Sequence, residues 1–290
     1  MTILRFLQTV DRRVLYALLL LSVTLPFFLN VTLPMKVSPA TESLFRAIDA
    51  LKPGDFVLLG TDWAGGTRGE NSPETSAVMQ HLMRKKLRFG ILCFDPQSPT
   101  LVGDIAHSMQ AKYGYQEGVD WVNFGYKVDA KNFFKGFVQN IPSTIPNDTR
   151  GIALTTLPAM NGIHSASDIK FVMVVTPTSL FQTYIQFVAG PRHIPMGLAP
   201  TSVMVPEAFN YLDSGQLVGM IPGLPGAGEY EAKFLAAYPD TKRPGETPSK
   251  AAAFSNSASF AHLLIILFIL LGNVAMILER RQRSRMGGTD

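Results

Sequence analysis

Two long apolar stretches bracket the chain, and a patterned region lies between them. Val14 to Leu33 runs twenty residues without a charge, and Phe260 to Leu278 runs nineteen, with His262 taken as neutral. Leu, Ile, Phe and Val fill thirteen of the latter nineteen positions. At 1.5 Å per residue, nineteen helical residues cover about 28 Å, roughly one bilayer core. Arg280, Arg281, Arg283 and Arg285 follow at once. The expectation is a membrane span with its C-terminal tail in the cytoplasm. The first stretch follows Arg12-Arg13 and is longer than the h-region of a signal peptide, so it reads as an uncleaved anchor. Pro26 is expected to kink it.

Between the stretches, short apolar runs alternate with amphipathic ones. Residues 40–52 predict a helix with Leu44, Phe45, Ile48 and Leu51 on one face, capped by Thr41 and stopped by Pro53-Gly54. Apolar strands follow at 56–60, 89–94, 171–175 and 216–221, with weaker ones at 120–124 and 193–198. Helices are expected at 73–86, 99–113, 130–140, 178–188, 206–212 and 227–238. Residues 141–167 show no clear element beyond a possible short piece at 152–157. Fully apolar strands alternating with helices predict an α/β fold: a mostly parallel, doubly wound sheet covered on both faces and flanked by one N-terminal and one C-terminal transmembrane helix. The rhythm resembles Rossmann-like and flavodoxin-like sheets and the lobes of periplasmic binding proteins. That resemblance implies architecture, not activity.

The implied organisation is a cytoplasmic N-terminus (1–13), a span (14–33), an extracytoplasmic α/β domain (34–238), a linker (239–259), a second span (260–278) and a cytoplasmic basic tail (279–290). Charge supports this order. Seven arginines against three acids in the two tails account for the whole net charge of +4, and the intervening region nets zero. The basic pI is therefore a positive-inside signal, not a nucleic-acid footprint. A single cysteine, Cys93, excludes an internal disulfide, and its place in an apolar run predicts a buried thiol.

Candidate chemistry concentrates at strand ends. The loop Asp62-Trp63-Ala64-Gly65-Gly66-Thr67-Arg68-Gly69-Glu70 follows the first strand, where open α/β sheets hold ligands and a helix N-terminus can hold an anion. Gly65 and Gly66 permit close backbone approach, and Asp62, Trp63, Arg68 and Glu70 offer contacts. The loop is neither a Walker A sequence nor G-x-G-x-x-G, so no nucleotide cofactor is expected. Asp95, Thr178 and Thr201 end later strands and could rim the same crevice, although each threonine reads first as a helix cap. In Pro222 to Glu231, Gly226 and Gly228 could cradle an anion. Glu229 and Glu231 argue instead for a structural helix start, with Glu229 paired to Lys233. His81, His107, His164, His193 and His262 show no zinc-ligand spacing, and no metal is expected. No G-x-S-x-G occurs.

Three readings follow. The favoured one is a non-enzymatic, membrane-anchored subunit of an envelope assembly whose outward domain is an interaction module. Its partners would be the bilayer and other membrane proteins or further copies of itself; Asn273 and His262 within the second span could bond to such helices. The alternatives are an extracytoplasmic ligand-binding or sensor domain, and a membrane-tethered hydrolase using Asp62 and Asp95.

Overall fold

The computed structural model describes residues 11–29, 36–241 and 250–286. The chain divides into two compact units, residues 35–246 and a pair formed by residues 1–34 and 247–290.

The larger unit is a six-stranded parallel sheet in the order β3-β2-β1-β4-β5-β6, with β1 Phe56–Thr61, β2 Arg88–Cys93, β3 Trp121–Tyr126, β4 Phe171–Thr176, β5 Met196–Pro200 and β6 Gly219–Met220. Every neighbouring pair is parallel. This is the Rossmann-like arrangement, and the strand order reverses between β1 and β4. The apolar runs form strands because the sheet is buried on both sides, so neither face needs polar residues.

The sequence order of helices is α1 Arg12–Leu29, α2 Pro39–Asp49, α3 Arg68–Arg84, α4 Ser98–Tyr113, α5 Ala130–Phe137, α6 Ile141–Thr144, α7 Phe181–Tyr184, α8 Val205–Asp213, α9 Gly223–Ala237 and α10 Lys250–Met286. On one face of the sheet, Phe56, Leu58, Leu92, Phe124, Val172, Val174 and Leu198 pack with Phe134, Phe137, Ile141, Phe181, Tyr184 and Ala208. Val57, Leu59, Phe89, Ile91, Met173 and Val175 point the other way and are equally buried, beneath α2, α3, α4 and α9.

Several boundaries differ from the sequence expectation. The cap of α2 is Ser38, whose hydroxyl accepts the Thr41 N–H, and not Thr41. Thr41 is instead fully buried and donates to Glu229 Oε2 at 3.0 Å, which also accepts the Ser38 N–H and hydroxyl. Glu229 therefore ties α9 to the start of α2, and the expected partner Lys233 pairs with Glu42 at 3.0 Å. Helix α3 begins five residues before Pro73, because the tight turn Gly65–Thr67 feeds it directly. Helix α9 begins at Gly223 and contains Pro225, Gly226 and Gly228, so the expected glycine loop is its first turns. The segment expected to lack structure carries short turns of helix at Leu154–Thr156, Pro158–Met160 and Ala166–Asp168.

In the smaller unit α1 packs on α10. The less exposed positions of α10 include Ser257, Ala261, Leu264, Phe268 and Ala275, and those of α1 include Leu15, Leu19 and Ser22. Leu15, Leu19 and Ser22, and Ser257, Ala261, Leu264 and Phe268, follow the alternating four-and-three spacing of a left-handed helix pair, and Ala275 lies one heptad beyond Phe268. Among the described residues one stretch, Ser257–Leu278, is long and apolar enough to cross a membrane, with a mean hydropathy of 2.6. The expected first span does not meet that description. The described part of α1 opens on Arg12 and Arg13 and leaves sixteen uncharged residues, about 24 Å of helix. Residues 30–33, the rest of the expected span, lie outside the described residues, as do 34 and 35 and residues 242–249 of the expected linker. Residues 250–259, also read as linker, belong to α10.

Candidate functional site

Asp62 stands where the strand order reverses. Its N–H still pairs with Val175 across to β4 at 3.0 Å. The residue is 5% exposed. Oδ1 accepts the Phe94 N–H at 2.7 Å, and Oδ2 is buried with no hydrogen-bond partner among the described residues. Burial raises the Asp62 pKa from 3.8 to about 7, against the pull of the Phe94 N–H and the Tyr184 hydroxyl. Tyr184 belongs to α7, directly before a wider π-type turn at Ile185–Ala189, a feature frequent at functional sites. Its hydroxyl is fully buried, lies near enough to the carboxyl to favour the anion, and makes no well-formed hydrogen bond. Gly60 makes this placement possible: a Cβ there would sit 2.6 Å from the Tyr184 hydroxyl. Phe94 and Phe134 pack their rings against Tyr184.

On the opposite face Thr61 Oγ1 lies 3.2 Å from Cys93 Sγ, and Ser98 donates to the Thr61 carbonyl at 2.5 Å. Burial pushes the Cys93 thiol up to about 12, so it is inert as a nucleophile near neutral pH.

The predicted strand-end residues converge in part. The Gly65 N–H donates to Gln97 Oε1 at 3.1 Å, which joins the first loop to the one after β2. Glu70 Oε2 accepts the Ser202 N–H at 2.7 Å and its hydroxyl at 2.6 Å, which joins the first loop to the one after β5. The Thr201 N–H reaches the Thr176 carbonyl at 3.4 Å. Thr201 is buried, and its Oγ1 is another unpartnered atom. Gly65, Gly66 and Arg68 remain exposed around the start of α3.

Other predicted residues have structural work. Trp63 is buried and donates to Thr75 Oγ1 at 3.1 Å, so it offers no surface to a ligand. Glu70 is a strap between loops. Asp95 accepts the Gln97 N–H at 2.8 Å in a local turn. Thr178 Oγ1 accepts the Leu180 N–H at 3.3 Å and lies 3.1 Å from Thr176 Oγ1. Gly226 and Gly228 are buried inside α9, and a side chain at Gly226 would collide with the Pro222 ring and the Ile221 backbone. That crowding gives Gly226 a packing reason to be glycine.

Two clusters escape a sequence reading. Glu74 is fully buried in α3, accepts from Asn71 Nδ2 at 2.8 Å, and leaves Oε1 unpartnered. Burial holds its carboxyl well above the usual range. Across the core, the fully buried His81 places Nδ1 2.7 Å from the Tyr230 hydroxyl and Nε2 3.2 Å from Asp49 Oδ1. Burial pulls its pKa down to about 4 despite the carboxylate, so the imidazole is neutral near pH 7. Among the described residues no group of three or more His, Cys, Asp and Glu could hold a metal ion.

No protein-family model matches the chain, and no curated protein is detectably similar to it.

Proposed function

We propose that this chain is a membrane-anchored α/β module whose sheet domain binds a small polar ligand at the carboxyl ends of β1 and β4. One observation carries the reading: Asp62 is buried at the strand-order reversal with one carboxyl oxygen outside hydrogen-bond geometry of every described neighbour, the nearby Tyr184 hydroxyl included, and with a pKa raised to about 7. Open α/β sheets hold ligands at that point, and a buried, half-satisfied carboxyl is costly unless something uses it. A hydroxyl or amine on the ligand would donate to Oδ2. Exposed Gly65, Gly66 and Arg68 give the ligand's other end an open rim with one positive charge. The experiment is a thermal-shift series on the full chain in mild detergent against sugars, polyols and amino acids. A hydroxyl- or amine-bearing class should raise Tm in the wild type and not in Asp62→Asn. A flat response across all classes would overturn the reading.

Anchoring rests on Ser257–Leu278, about 33 Å of apolar helix of which 6% is buried, too little for a core helix. The finer arrangement has α1 as a second span and both arginine-bearing tails in the cytoplasm. The matched seams of α1 and α10 and the arginine distribution support it. In intact cells a single reporter thiol, Ser167→Cys on the exposed surface, should react with a membrane-impermeant maleimide. Reaction only after lysis would invert the arrangement.

A second reading, a subunit of a membrane assembly, is favoured by Asn273. Asn273 and His262 are eleven residues apart, so they share one face of α10, and both are exposed away from the α1 seam. An amide facing lipid gains from a partner helix, and asparagine can bond its own copy. Asn273→Leu should shift the particle in mild detergent towards smaller mass. A wild type that is already monomeric would remove this reading.

A further inference from the structure

At the end of the sheet opposite Asp62, near the amino ends of the strands, lies a cavity of about 280 Å³, lined by Met83, Arg84, Lys86, Lys112, Tyr113, Asp240 and Thr241. Three cations and one carboxylate face this space. Arg84 Nη2 donates to Asp240 Oδ2 at 2.8 Å, and the Asp240 side chain is 67% exposed. Arg84 Nε is buried with no hydrogen-bond partner among the described residues. Lys86 Nζ donates to the Tyr113 carbonyl at 2.6 Å and lies over the Tyr115 ring, while Lys112 lies over the Tyr113 ring.

Some positive charge here is ordinary, because α3 and α4 both finish at this end and cations suit helix C-termini. Two details exceed that role. Lys86 occupies the left-handed residue after α3, with φ 57°. Its N–H reaches the Met83 carbonyl and the Leu87 N–H the Leu82 carbonyl, the pairing that normally selects glycine or asparagine at this position. A lysine there accepts backbone strain while placing an ammonium beside the cavity. Second, the Arg84 guanidinium is stacked 4.9 Å over the Tyr238 ring with Nε unused beside Nη2, so an oxyanion that displaced Asp240 would meet both donors of the fork in two-point contact.

We infer that this cavity is an anion site for a phosphate group, separate from the Asp62 crevice and independent of that reading. The volume accommodates a phosphate or a phosphodiester headgroup with a few waters. Arg84 would supply the directed contacts, Lys86 and Lys112 the compensating charge. Asp240, being mostly exposed, can turn aside into water.

The test uses the full chain in a zwitterionic detergent and phosphate-free buffer, with inorganic phosphate as one probe. The other probes are nanodiscs of phosphatidylcholine alone or mixed with phosphatidylglycerol. Wild-type Tm should rise with phosphate. The apparent affinity should fall tenfold or more in Arg84→Gln and in Lys86→Asn, the latter chosen because asparagine keeps the left-handed turn. Stabilisation by phosphatidylglycerol without any by free phosphate, lost in the same variants, assigns the group to a lipid headgroup and supports the site equally. Equal responses in wild type and variants, or no response to either probe, would overturn it. Asp62→Asn should leave this binding unchanged, which separates the site from the crevice.

Discussion

The main-chain N–H of Phe94 reaches one oxygen of the Asp62 carboxyl at 2.7 Å and leaves the other buried without a partner. The bond crosses from β2 to β1 beside the strand-order reversal. It holds the carboxyl in place without satisfying it, so the charged form stays expensive and the group titrates near neutrality.

That relationship makes Asp62 a stability liability at high pH. Its folded pKa of about 7 lies above the ordinary 3.8, so the native state keeps the proton longer than the unfolded chain does. The contribution is fully present below about pH 4 and is lost as pH rises through 7; the whole cost is about 4 kcal/mol. Asp62→Asn still accepts from Phe94 and cannot ionise. Urea midpoints should match wild type at pH 4 and exceed it by a growing margin up to pH 8. A difference that does not depend on pH would show that Asp62 does not titrate in this range.

Gly60 and Tyr184 form the second element of the site. Gly60→Ala puts a methyl 2.6 Å from the phenol hydroxyl and must push the ring away from the carboxyl. Overpacking of this kind costs about 1–3 kcal/mol. Because Tyr184 favours the Asp62 anion, moving it should also raise the carboxyl's pKa further, visible by NMR titration of Asp62. A loss of stability with an unmoved titration would mean that the hydroxyl has no electrostatic role.

His81 predicts the opposite pH limb. Its folded value of about 4 lies below the usual 6.5, so the unfolded chain takes up the proton first. Stability from this residue is complete above about pH 6.5 and is lost as pH falls towards 4, about 3 kcal/mol in all. His81→Gln should flatten the acid limb of the stability profile between pH 6.5 and 4 while leaving the Asp62 limb at pH 7 intact. An unchanged acid limb would place the responsible group elsewhere.

The legibility of these features follows from how locally each is determined. The strands were readable because a doubly covered parallel sheet requires uninterrupted apolar runs, as in Phe171–Val175. Asp62 was readable because it is the first acid after such a run. Tyr184 was not, because an aromatic in a helical stretch reads as core, and its polar role depends on Gly60, far away in sequence. Glu229 misled, and Glu74 went unread, for the same reason. Acids on helices read as solvated or as i,i+4 partners, yet Glu74 is sealed inside and Glu229 spans to Ser38 and Thr41. The glycines of Pro222–Gly228 read as a loop by composition. A tightly wound helix start uses the same residue, and only the crowding of Gly226 against Ile221 and Pro222 distinguishes the two.

Glu229 provides a test of tertiary tethering. One carboxylate oxygen accepts from the Ser38 N–H at 2.9 Å, the Ser38 hydroxyl at 2.7 Å and the Thr41 hydroxyl at 3.0 Å. Glu229→Ala leaves the buried Thr41 hydroxyl without its acceptor and frees the start of α2. Bonds to a charged group contribute about 1.5–3 kcal/mol, so a loss of roughly that size is expected. Hydrogen exchange should rise first in the opening turn of α2, whose N-terminus this bond holds. If exchange instead rises uniformly across the sheet, Glu229 supports the whole fold and not this junction.

Ala275 tests the helix pair. It is 2% exposed and lies on the α10 seam with Ser257, Ala261, Leu264 and Phe268, where a small residue lets two helices approach closely. Ala275→Leu forces a larger side chain into that contact at a cost of about 1–3 kcal/mol. The same change at Met276, one residue along and exposed, should be silent. Thermal unfolding in mild detergent should separate the two variants. If both behave as wild type, the α1–α10 seam contributes nothing measurable, and the two-span arrangement loses its packing argument.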